Sequence, residues 1–129
     1  MNALYISLGA SLGALIRWWF GILLNWIVPS LPLGTLFANL MGGFLMGVVM
    51  ELVRIDWIVS EGMKLALTTG FLGGLTTFSA FSAEAVSSLS SQEYFVSIFL
   101  VLGHVVGSIL MTFGGIFAVK FCIPSIWQS

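Results

Sequence analysis

Apolar residues along this chain fall into four long runs, and polar residues gather in the three gaps between them. The runs cover Leu4 to Val28, Gly34 to Val53, Met63 to Val86 and Tyr94 to Phe121, each close to the roughly 20 residues that a helix needs to cross a bilayer. In the first gap, Pro29-Ser30-Leu31-Pro32 stops the helix because proline has no N–H to donate and restricts the residue before it. Glu51, Arg54, Asp56, Glu61 and Lys64 place five of the nine charges within fourteen residues and mark the second gap as a polar loop. The third gap, Ser87 to Glu93, reads as a turn. The first run has no basic leader and stays apolar past Arg17, so it reads as a spanning helix and not a cleaved signal. The pattern predicts an all-α membrane protein, one domain over residues 1–129 with four transmembrane helices.

Composition agrees with lipid as the solvent. Apolar residues make up 59% of the 129, only nine side chains are charged, and the mean hydropathy is +1.12, too apolar to cover a water-facing surface. A net charge of -1 without a basic tract excludes a nucleic-acid partner. The lone Cys122 excludes an internal disulfide framework and reads as a buried apolar residue. Trp18, Trp19, Trp26, Trp57 and Trp127 include natural interface anchors. Small residues four apart, Gly9 with Gly13, Gly43 with Gly47 and Gly103 with Gly107, predict close helix packing. No nucleophile, metal triad, nucleotide motif or cofactor box gives a basis for an enzyme.

The third run is unlike the others. Gly70-Phe71-Leu72-Gly73-Gly74-Leu75-Thr76-Thr77-Phe78-Ser79-Ala80-Phe81-Ser82 puts three glycines and four hydroxyl residues at membrane depth. Adjacent glycines weaken a helix by about 1 kcal/mol each relative to alanine, and backbone freed in hydrocarbon needs protein, water or an ion to satisfy it. One reading is a broken helix, a structure that binds ions through unwound carbonyls and half-helix N-termini; the other is a continuous helix whose glycine pair packs closely. Phe78 and Phe81, three apart, share a face after the break, as core or as ring edges that an anion can contact. His104, Ser108 and Thr112 form a polar line along the fourth run, and Asn39 places an amide in the second, where burying it unpaired costs roughly 2 kcal/mol or more. These four serve either a pathway or interhelical hydrogen bonds. Arg17 lies deep in the first run, as a functional charge or one that snorkels to an interface, and Glu84 near the end of the third faces a wet vestibule or a solvated helix end.

The runs GGLTTFSAFSAE from Gly73 to Glu84, GTLFANLMGGFLMG from Gly34 to Gly47 and GALIR from Gly13 to Arg17 resemble the Fluc (CrcB) fluoride channels, across the whole four-helix chain. The resemblance implies a dual-topology homodimer of two antiparallel subunits in the bacterial cytoplasmic (inner) membrane, with two pathways for passive fluoride efflux and a central structural sodium ion. It implies that Gly73 and Thr76 bind sodium through backbone carbonyls. It also implies that Phe78, Phe81, Asn39 and Ser108 line the pathway, with Thr77 and Ser79 in the same region and Arg17 in a vestibule. The resemblance leads to the expectation of a small hydroxyl residue where this chain has His104. Bottom-up mechanics point the same way: a small, strongly hydrated anion needs N–H, O–H and polarised C–H donors, and a fixed positive charge in the constriction would trap it.

Two other classes compete. A small multidrug or cation antiporter also has four short helices, but proton-coupled export wants a carboxylate in the first span, which has none. A non-transporting accessory subunit has no need of a broken helix. Arg54, Lys64 and Lys120 collect on the side of the termini, against no Lys or Arg in the first and third loops. That bias favours one orientation under the positive-inside rule, whereas dual topology wants none; two helix breaks meeting at mid-depth favour the antiparallel pair.

Overall fold

The computed structural model describes residues 1–123, and among these every regular element is helical. Among the described residues four helices are long and apolar enough to cross a membrane: α1 (Asn2–Leu24), α2 (Leu33–Arg54), α3 (Glu61–Ser90) and α4 (Tyr94–Cys122). Trp127 lies outside the described residues.

Helix α1 ends four residues earlier than the hydrophobic run. The cause is Asn25, whose Oδ1 accepts from the Gly34 N–H at 2.8 Å and so caps the start of α2. Its amide is thereby committed to the turn, and Pro29 and Pro32 follow. Glu51 and Arg54 belong to the last turn of α2 and not to the loop; Glu51, 3% exposed, is held by Arg54 at 2.8 to 3.1 Å. Helix α3 opens two residues before Met63, where the Ser60 Oγ accepts from the Met63 N–H, and it runs on to Ser90, so the third turn shortens to residues 91–93.

Close packing follows the small residues. A Cβ on Gly13 would run into the carbonyl of Phe71, and one on Gly74 into the carbonyl of Ala10, so α1 lies backbone to backbone against the first half of α3. Gly43 and Gly47 do the same between α2 and the carbonyls of Ser108 and Thr112 on α4. Gly103 and Gly107 differ, since they face leucine side chains of α2. Little is buried inside: Ala38, Leu72 and Leu75 form the centre, while Leu8, Leu12, Trp18, Trp19, Phe95 and Phe121 point outward. Cys122, expected to be buried, is exposed at the end of α4. Apolar faces turned outward are what lipid as a solvent requires.

Helix α3 is interrupted. A π-helical stretch over Ala66–Leu72 leads into Gly73–Leu75, the backbone is extended at Thr76 and Thr77, and helix resumes at Phe78–Ser90. The break therefore falls after the glycine pair and not within it. Gly74 stays helical because it is spent on the α1 contact, and the two β-branched threonines take the extended conformation they favour. Helix α4 contains a second π-helical stretch at Gly103–Gly107, level with the break through His104.

Candidate functional site

At the break several of the backbone groups that the helix abandons have been re-addressed. The Thr77 N–H, which in a continuous helix would reach back to the Gly73 carbonyl, donates to the Asn39 Oδ1 at 2.7 Å. The Asn39 Nδ2 donates to the Thr77 carbonyl at 2.9 Å and lies 2.8 Å from the His104 Nδ1. The Ala80 N–H, which would reach the Thr76 carbonyl, goes to the Thr77 Oγ1 at 3.3 Å, so Thr77 caps the second half-helix. Gly73 and Thr76 thus both lose their helical donors. Thr76 folds its own hydroxyl back onto the Leu72 carbonyl at 2.8 Å. The Arg17 Nε donates to the Gly74 carbonyl at 3.1 Å, which brings this side chain to the break. A positive group at the C-terminal end of the first half-helix also suits its dipole.

Two open cavities flank this point. One, about 330 Å³, is lined by Asn39, Thr77, Phe78, Phe81, His104 and Ser108 among others. The other, about 290 Å³, is lined by Gly73, Thr76, Asn39, Ser108 and Thr112 with glycines of α2. Phe78 and Phe81 meet edge to face at 5.5 Å between centroids, and Phe81 stacks on the His104 ring at 4.6 Å and 28°. Their environments differ: Phe81 is 7% exposed and Phe78 77%. Ser108 borders both cavities and its hydroxyl makes no hydrogen bond to a described residue. Thr112 is otherwise occupied, its hydroxyl directed at the carbonyls of Gly43 and Ser108 at 3.0 and 2.9 Å. Ser79 lies outside the cavity linings, 3.2 Å from the Thr77 hydroxyl.

Glu84 stands farther along α3. Its Oε1 accepts from the Thr35 hydroxyl at 2.6 Å, its Oε2 is buried without a partner among the described residues, and it lines an open cavity of about 600 Å³ with Asn25, Ser87 and Glu93. Thr35 was missed by sequence reasoning, although its place one turn before Asn39 on α2 was the available signal. The structure thus brings Asn39, Thr76, Thr77, Phe78, Phe81, His104 and Ser108 together, joins Arg17 to them through Gly74, and keeps Glu84 at a separate cavity.

Four apolar spans, one of them broken beside an aromatic-walled cavity with a few polar groups, define a multi-span helical membrane protein with a discontinuous helix. The family described as CrcB-like protein, Camphor Resistance (CrcB) matches residues 4–116, and the chain belongs to it. A protein of Nitrosospira multiformis named fluoride-specific ion channel FluC is 48% identical over 90% of this chain and 91% of its own length. Proteins of the same name from Chromobacterium violaceum (48%, covering 89% and 91%) and Pseudomonas paraeruginosa (43%, covering 95% and 96%) are similar over nearly the whole of both chains.

Proposed function

We propose that the chain is a fluoride-specific channel of the bacterial cytoplasmic membrane through which fluoride leaves the cell passively. The observation that carries this reading is the break in α3, held by Asn39 beside the cavity of Phe78, Phe81 and His104. The names of the similar proteins support the same ion.

Fluoride gives up its water only to a dense set of donors, each weak enough to release it. The Ser108 hydroxyl is available, and the Thr77 hydroxyl, which lines the same cavity, is free to donate when Ser79 donates to it. The positive edges of the Phe78 and Phe81 rings add donors that carry no net charge. Val105 and Ile109 complete an apolar wall against larger or hydrated ions. Both donors of Asn39 are engaged, one on the Thr77 carbonyl and one on His104, so its part is to hold the break in shape. An antiporter reading finds no support, since α1 has no carboxylate.

The working unit in this reading is an antiparallel, dual-topology homodimer. Phe78 is largely exposed, and a Cβ on Gly73 would meet only the Thr68 carbonyl at 3.6 Å, so both lie on an open face. A second copy related by an axis in the membrane plane would close that face and bring the two breaks together. Gly73 and Thr76, whose carbonyls have lost their helical donors, are the residues that would hold a sodium ion there, and the ion would supply a fixed charge that ties the two breaks together.

Liposomes containing only this protein, loaded with fluoride and diluted into fluoride-free buffer, should release fluoride fast and chloride hardly at all, as read by ion-selective electrodes. Release no faster than from empty liposomes would overturn the reading. For topology, a Cys122→Ser variant with one cysteine added at the C-terminus should be labelled in comparable amounts from either side of intact cells. Labelling confined to one side would remove dual topology.

A further inference from the structure

We propose that His104 is held by Asn39 as its Nε2–H tautomer and offers that N–H to the anion beside Phe81, an inference that rests on the channel reading above. The tautomer follows from partners that leave no choice. The Thr77 N–H can only donate, so the Asn39 atom 2.7 Å from it is the oxygen. The Thr77 carbonyl can only accept, so the Asn39 atom 2.9 Å from it is the NH2 group. That NH2 group lies 2.8 Å from the His104 Nδ1, which must therefore present a lone pair. A neutral imidazole with Nδ1 bare carries its hydrogen on Nε2.

The Nε2 is buried and has no partner among the described residues, on a side chain only 4% exposed. Buried N–H groups without partners are rare in proteins, and one on a residue that lines a mainly apolar cavity points to a ligand that accepts. Phe81 covers the face of the ring at 4.6 Å, and His104 lines the same cavity as Phe78, Thr77 and Ser108. A proton on Nδ1 would set two donors against each other across 2.8 Å, so the Asn39 contact keeps the ring neutral. A neutral donor is what conduction needs, because a fixed cation in the constriction would retain the anion. The acceptor this site takes is an anion, and in the channel reading it is fluoride.

The chain has one histidine, so 15N-histidine labelling in lipid bilayers reports this ring alone. At neutral pH the spectrum should show an unprotonated Nδ1 and a protonated Nε2 whose resonance moves when chloride is replaced by fluoride. His104→Gln, whose amide N–H reaches the Nε2 position, should keep flux within a few-fold of wild type. His104→Phe, which keeps the stack on Phe81 without the donor, should lose about tenfold or more, the scale of one hydrogen bond to a charged group. An Nδ1–H tautomer, a fluoride-blind Nε2 in protein that conducts, or wild-type flux from His104→Phe overturns this inference alone. Absence of fluoride flux in the wild type overturns the channel reading and this inference with it.

Discussion

Asn39→Asp should cut fluoride flux by about two orders of magnitude, a barrier rise of about 2.7 kcal/mol at 1.36 kcal/mol per decade. The change is nearly isosteric and keeps the acceptor for the Thr77 N–H. It removes both donors, so a carboxylate oxygen then faces the Thr77 carbonyl and the His104 Nδ1. Leaving an acceptor unpaired inside a protein costs about 1–3 kcal/mol, and the Thr77 carbonyl is left so, while the His104 proton is drawn to Nδ1 to meet the new carboxylate and is lost from Nε2. The new negative charge also stands at the wall of a cavity proposed to admit an anion. Flux per folded protein in liposomes is the measurement, with size-exclusion elution checking assembly. Flux equal to wild type would mean that neither the break nor the charge at its side governs permeation.

The second large effect concerns the two phenylalanines, and exposure separates what each should do. Phe78→Ile and Phe81→Ile both keep apolar bulk and delete the ring edge, and both should lower fluoride flux about tenfold or more, on the scale of 1.36 kcal/mol per decade. Phe81 is 7% exposed and stacked on His104, so its replacement should also destabilise the bundle by about 1–2 kcal/mol, visible as a lower melting temperature in detergent. Phe78 is 77% exposed in the single chain and meets Phe81 in a T-shaped contact, so its replacement should spare the melting of the subunit. Unchanged flux from both isoleucine variants would dismiss the ring edges as part of the pathway.

The sequence by itself determined the solvent and the spans. Runs of about 20 apolar residues have one stable solution in lipid, a helix that satisfies its own backbone, and the prolines and clustered charges had to fall between such runs. It also determined that α3 would be exceptional, because glycine pairs and adjacent threonines are poor helix formers wherever they occur. The contacts of Gly13 and Gly43 followed too, since small residues four apart admit a neighbouring backbone.

What only the tertiary structure decided is where the helix breaks and which atoms repair it. Both glycines looked suited to unwinding, yet both stay helical, Gly74 with the carbonyl of Ala10 pressed against it, and the break moves on to Thr76 and Thr77. Asn39 read equally as a pathway donor or an interhelical bond, and 38 residues of intervening chain hid that its partner is the Thr77 backbone. Thr35 with Glu84, and Arg17 with the Gly74 carbonyl, were illegible for the same reason. Propensity and hydropathy are local sums along the chain, whereas a hydrogen bond between two helices depends on their relative rotation and depth, which the packing of all four helices sets at once.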